Sequence, residues 1–373
     1  MRGMDSHDLA AGAVLVGGFD GPALPSAIAD RLADGRLAGV IYFRRNIVDA
    51  AQVRDLCVAV LASAALTPII ALDQEGGRVT RLRDPVIALP TARALGALDD
   101  PGLTRDLHRA LAEELAAVGV NLDLAPVCDV DSNPANPVIG DRAFGRTAAV
   151  VSRHAVAAID GLHGGAVLAC AKHFPGHGDT ATDSHHELPV LPHGLERLEA
   201  VELAPFRAAV AAGVDAVMTA HVRFDALDAS VPATLSRAVI TALLRADVAA
   251  GADVVVVSDD LLMRAVSDRW PVEESAPLAV DAGCDLLLVC SDPEAQERAR
   301  LALAARSRVE PAFAARLGEA AARVGRLRAR ITPRIVPAAG LAALWHRPSR
   351  GALLDRLASM QAAPAGVDPT ERA

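Results

Sequence analysis

The stretch Asp253-Val254-Val255-Val256-Val257-Ser258-Asp259-Asp260 carries four valines in a row and then turns abruptly acidic. A strand with one wet face alternates apolar and polar residues. An unbroken apolar run instead reads as a strand buried on both faces, as in a parallel sheet covered by helices. Seven other short runs have the same character, at 13–16, 39–43, 68–72, 121–125, 166–171, 216–219 and 285–289. Between them lie Ala/Leu/Arg/Glu stretches with helical spacing, at 26–37, 50–64, 103–118, 150–162, 198–212, 237–250 and 271–282. Eight strands alternating with helices fit an α/β fold of the (β/α)8 TIM-type barrel class. A doubly wound open sheet is the alternative. It would want G-x-G-x-x-G after the first strand, and Gly17-Gly18-Phe19-Asp20-Gly21 does not supply it.

The barrel is expected to occupy residues 1–335 as one domain. Residues 336–373 read as a proline-punctuated tail, with a short helix at 351–361 and disorder from about residue 364. The chain has 373 residues, of which 52% are hydrophobic but only 3% aromatic, so its apolar mass is mainly Ala, Val and Leu. That excludes intrinsically disordered and collagen-like classes.

The formal net charge is −9. With no basic run, a nucleic-acid partner is not expected. The basic-rich segment 323–334 alternates with apolar residues and reads as the solvated face of a helix. No run reaches the roughly 18 apolar residues that span a bilayer, so no membrane partner is expected. The apolar segment 10–19 is flanked by Asp5, Asp8 and Asp20 and lacks a basic leader. Five scattered cysteines show neither C-x-x-C nor zinc-ribbon spacing and read as buried thiols. A cytoplasmic location is therefore expected.

In such barrels the chemistry gathers at the carboxyl ends of the strands. Polar residues follow five of the eight runs: Asp73, then Asp129 and Asp131, Lys172-His173, His221, and Asp259-Asp260. Four of the 11 histidines fall within residues 173–186. Three readings of that segment compete. As a metal site, His173, His177, His185, Asp179 and Asp183 would supply ligands, though without a recognised spacing. As a structural feature, the histidines would only cap a loop. As an acid/base site, Asp183 would hold one ring nitrogen of His185 and leave the other for proton transfer. Gly176 and Gly178 would let that loop move. Asp259, at the mouth of a buried strand, could attack an electrophilic carbon. Either Asp259 or Asp260 could equally cap the next helix.

Four motifs taken together resemble the glycoside hydrolase family 3 β-N-acetylhexosaminidases of the NagZ type. They are Lys172 to Pro189 (K-H-F-P-G-H-G-D-T-x-x-D-S-H-x-x-L-P), Asp73 to Val79, Asn136 to Gly145, and Ser258 to Met263. The resemblance spans roughly residues 10–330. It implies that Asp259 is the nucleophile, His185 the general acid/base, and Asp183 the residue that orients His185. Asp73, Arg81, Arg142, Lys172 and His173 match positions that hold the sugar. It implies no cofactor and no metal, and no role for His177, Asp179 or His186. The implied activity is a retaining exo-cleavage of terminal N-acetylglucosamine through a covalent glycosyl-enzyme, as in peptidoglycan recycling, by a monomer acting on N-acetylglucosaminides or muropeptides. Rival readings are a phosphorylase that uses phosphate as acceptor, a β-glucosidase or β-xylosidase, and a non-catalytic amino-sugar-binding protein. The natural aglycone is not readable from the residues.

Overall fold

The computed structural model describes residues 4–184 and 186–358. The eight apolar runs form one closed, all-parallel barrel. Its strands are β1 Leu15–Gly17, β2 Gly39–Tyr42, β3 Ile69–Leu72, β4 Leu122–Asp123, β5 Leu168–Phe174, β6 Ala216–Thr219, β7 Val255–Asp260 and β8 Leu286–Val289. Each strand pairs with its neighbours in sequence, and β8 closes on β1 with Leu287 opposite Leu15. The (β/α)8 architecture read from the sequence is the one observed.

Successive side chains of a strand point to opposite faces, and the core divides accordingly. Ile41, Ile69, Ala71, Met218, Val255 and Val257 meet in the lumen. The intervening Val40, Tyr42, Ile70, Leu72, Val217 and Val256 pack outward under the helices. Both faces are buried, which is why these strands show no polar alternation.

One end of the lumen is plugged. Val324 and Leu327 of the helix Pro311–Ala329, with Ile331 just beyond, close it from the side where the strands begin. The arginines of the same segment do not simply face water. Arg316 and Arg323 reach the buried Asp285 at 2.8 and 2.9 Å, and Arg245 joins them. Arg326 binds Asp253 at 2.6 Å, and Arg330 binds Asp215. Asp215, Asp253 and Asp285 precede β6, β7 and β8 respectively. The expected solvated face is present at Arg326 and Arg330, which are exposed, while Arg323 departs from it by turning to the buried Asp285. One side of the helix is an arginine row clamping an acidic rim that only the closed barrel assembles.

Two helical expectations also change. Segment 198–212 divides into Leu195–Ala200 and Leu203–Ala211, and Ala238–Val248 winds as a wide π-type helix. The described part of the tail forms two helices, Ala338–Trp345 and Pro348–Ala358, that pack back on Pro101–Val118. The disorder expected from residue 364 lies outside the described residues. All five cysteines are buried and unbridged. No helix among the described residues is long and apolar enough to cross a membrane.

Candidate active site

With one end plugged, the open end lies at the carboxyl ends of the strands. A cavity opens there. Its floor is the apolar top of the lumen, including Ile41, Leu124, Met218 and Leu288. Its polar lining comprises Asp73 after β3, Arg142 from the loop after β4, Lys172 and His173 on β5, His177 and Ser184 from the loop after β5, and Asp259 and Asp260 on β7.

The polar groups form a continuous network. Lys172, 1% exposed, donates from Nζ to Asp73 at 2.7 Å and lies 2.6 Å from Glu75. Arg142 clasps Glu75 through Nε and Nη2, each at 2.8 Å. Arg142 Nη2 also lies 3.5 Å from His173 Nε2. On its other side, His173 Nδ1 meets Asp129 at 2.7 Å. That carboxylate accepts from the backbone N–H of His177 at 2.7 Å. Three cations (Arg81, Lys172, Arg142) thus face three carboxylates (Asp73, Glu75, Asp129).

Mutual pairing fixes their charges. Burial alone would raise the Glu75 carboxyl, but Arg142 and Lys172 hold it far below the carboxylate range. Burial is likewise overridden at Asp73 by Lys172 and Arg81, and at Asp129 by the adjoining His173 and His177. Burial would lower the Lys172 ammonium, yet Asp73 and Glu75 raise it. The result is an array of charge-assisted donors and acceptors suited to a polyhydroxyl ligand.

The two acids at the end of β7 sit in different surroundings. A register shift lies between Val257 and Asp260, where Ser258 Oγ accepts from Leu288 N at 3.0 Å. Such a bulge re-aims side chains at a strand end. Asp260 accepts from Leu262 N and Cys290 N, each at 3.1 Å, and burial pushes its carboxyl up to about 6. Asp260 ties the turn after β7 to the end of β8, and neither acid caps the helix Arg264–Ser267 that follows. Asp259 is only half-buried and borders the cavity, with one oxygen accepting from Asp260 N at 2.8 Å.

The other expected residues fall as follows. Arg81 is fully buried and does not line the cavity; it supports Asp73 from behind at 3.0 Å. Asp183 is half-buried, and its carbonyl accepts from His186 N and Glu187 N. His185 lies outside the described residues. Gly176 and Gly178 serve close packing where motion was expected. A Cβ on Gly178 would sit 1.8 Å from Val130 O, and Gly176 has φ of +144°. Glu75 was not singled out as a site residue, and Asp129 was named only as a polar strand ending with no role of its own. Their signal was present, since Glu75 lies inside the motif opening at Asp73 and Asp129 follows the fourth strand.

Residues 14–327 match the family model described as glycosyl hydrolase family 3 N terminal domain. A curated relative, the beta-hexosaminidase of Thiobacillus denitrificans, is 42% identical over 270 residues, covering 71% of this chain and 74% of that protein. NagZ from Neisseria gonorrhoeae, solved natively and with N-trifluoroacetyl-D-glucosamine, superposes with a TM-score of 0.78 at 32% identity, covering 94% of this chain and 98% of NagZ. A family 3 beta-N-acetylglucosaminidase from Paenibacillus sp. superposes with a TM-score of 0.84 at 42% identity over 90% of this chain; the chain spans 65% of that protein's length.

Proposed function

The chain belongs to glycosyl hydrolase family 3, and from that premise we propose that it removes terminal, non-reducing β-linked N-acetylglucosamine by a retaining hydrolysis. The observation that carries this reading is Asp259. It borders a cavity with an apolar floor, half-buried at the end of β7, and shares that cavity with Lys172 and Arg142, which Asp73 and Glu75 hold in place. A closed apolar floor suits one sugar unit entering end-on, an exo pattern.

In this reading Asp259 attacks the anomeric carbon while His185 protonates the departing oxygen. A covalent glycosyl-enzyme forms. His185, now neutral, takes a proton from water, which releases the sugar with its configuration retained. An imidazole suits both half-reactions because its pKa lies near neutrality. Asp183 holds the His185 ring and stabilises its cationic form. Asp73, Arg142, Lys172 and His173 bind the sugar, with Arg81 supporting Asp73. We further propose muropeptide substrates, a monomeric enzyme and a cytoplasmic location, which the five unbridged cysteines suit.

Incubation with a 2-fluoro glycosyl analogue, followed by peptide mass spectrometry, tests the nucleophile. A sugar on Asp259 is the expected result. Labelling elsewhere, or wild-type turnover of an aryl N-acetylglucosaminide by Asp259→Ala, overturns the assignment. The same assay with added phosphate separates hydrolysis from phosphorolysis by whether free sugar or the sugar 1-phosphate accumulates.

A further inference from the structure

We propose that His177 and Ser184 are positioning residues, a hydrogen-bonded pair that fixes where the loop after β5 presents Asp183 and His185 to the cavity. The inference rests on the acid/base reading of His185 given above.

The loop is held very unevenly. Its first half is packed: Asn136 donates to His177 O at 2.9 Å and to Thr180 Oγ1 at 3.2 Å, while Asn133 donates to the Asp179 and Thr180 carbonyls. Its outer arc is exposed or half-buried. Among the described residues of 181–187, Ser184 alone is buried. Ser184 is also the residue between Asp183 and His185 in the chain. Whatever fixes Ser184 therefore fixes the chain at the middle of the Asp-Ser-His triplet.

Two contacts fix it. Ser184 Oγ lies 3.1 Å from His177 Nε2. The Ser184 carbonyl accepts from Ala265 N at 3.3 Å. Ala265 belongs to the short helix Arg264–Ser267, which follows directly on the β7 segment bearing Asp259 and Asp260. Ser184 thus ties the loop of the proposed acid/base to the element of the proposed nucleophile.

His177 is suited to a fixed anchor and unsuited to proton transfer. Its Nδ1 lies 2.8 Å from Thr180 Oγ1, so both ring nitrogens are engaged. Its backbone N–H is bound to Asp129. Burial, with the neighbouring His173 adding to it, pushes the ring down to about 4, so it stays neutral through the working range. A second acid in the cavity is avoided while the geometry is kept.

Ser184→Ala deletes one oxygen from this arrangement, and His177→Gln approaches the same bond from the other side. Each is to be assayed on N-acetylglucosaminides of graded leaving-group pKa, alone and in a His185→Ala background, with thermal melting as a check on folding. General acid catalysis is worth about 10²–10⁴-fold. Partial misplacement of the acid is expected to lower kcat/KM by about 10- to 100-fold for poor leaving groups and by less than about 3-fold for strongly activated ones. In the His185→Ala background, Ser184→Ala should cause no further loss. Equal losses across all leaving groups, no loss at all, or an additive loss in the double variant would overturn the positioning role. If His185→Ala itself loses equally on both substrate types, the acid/base reading fails and this inference falls with it.

Discussion

Arg142 holds Glu75 by two parallel hydrogen bonds of 2.8 Å, with both side chains almost wholly out of water. Glu75 is shared, because Lys172 lies 2.6 Å from the same carboxylate. One carboxylate thus sets the positions of two cations on the cavity wall.

Breaking a buried pair from one side leaves an uncompensated charge, at a cost of about 3–5 kcal/mol. Glu75→Ala strands Arg142 and leaves Lys172 to Asp73 alone, and should fall in that range by urea denaturation. Arg142→Lys keeps the charge but loses the fork and the contact with His173. It should raise KM more than it lowers stability. An unchanged KM would mean that the fork does not shape the sugar site.

Asp259 and Asp260 are adjacent carboxylates with separable tasks. Asp259→Asn should leave the melting temperature within a few degrees and reduce turnover by several orders of magnitude. Asp260→Ala should do the reverse in emphasis. It removes the acceptor of two backbone N–H groups in a buried turn, and each orphaned donor costs about 1–3 kcal/mol. Comparing melting curves with the burst of aryl glycoside cleavage distinguishes them. If the two variants give the same profile, the division of labour is wrong.

The barrel could be read from the sequence because each strand is buried on both faces, which writes the pattern locally as an unbroken apolar run. The polar strand endings could be read for a similar reason: a charge directly after such a run has nowhere to go but the mouth. Glu75 and Asp129 were harder, because their importance lies in partners 67 and 44 residues away in the chain. Arg81 was assigned to the sugar itself, and only its burial shows it standing behind Asp73. The pairing of the arginine row with an acidic rim was not legible because Asp215, Asp253 and Asp285 share that rim only after closure. Gly176 and Gly178 were read for their freedom, whereas the neighbours that require a missing side chain, Glu202 and Val130, come from elsewhere in the sequence.

That acidic rim supports a prediction about stability alone. Asp285 is fully buried, takes Arg245, Arg316 and Arg323, and accepts from Val256 N at 3.0 Å. Asp285→Ala should cost about 3–5 kcal/mol, as for other buried ion clusters broken on one side. Because it sits at the plugged end of the barrel, kcat/KM measured below the melting transition should be unchanged. A loss of activity in step with Asp259 variants would show coupling between the two ends.

Asp123 on β4 offers a pH test free of the chemistry. Its Oδ1 accepts from Gln74 N at 2.9 Å, while Oδ2 has no hydrogen-bond partner. Burial pushes its carboxyl up to about 7, and the carboxylates of Asp73 and Glu75 push the same way. The folded state therefore binds the proton more tightly than the unfolded chain, where an Asp titrates near about 3.9. Its contribution to stability is full below about pH 4, declines as pH rises to about 7, and is constant above that. Asn at this position cannot ionise. The stability of Asp123→Asn relative to the parent should rise by about 1.4 kcal/mol per pH unit across that window, then level off. Urea midpoints for both proteins at about pH 5 and about pH 8 read this directly as a widening gap. A constant gap at the two pH values would mean that Asp123 is ionised in the fold throughout.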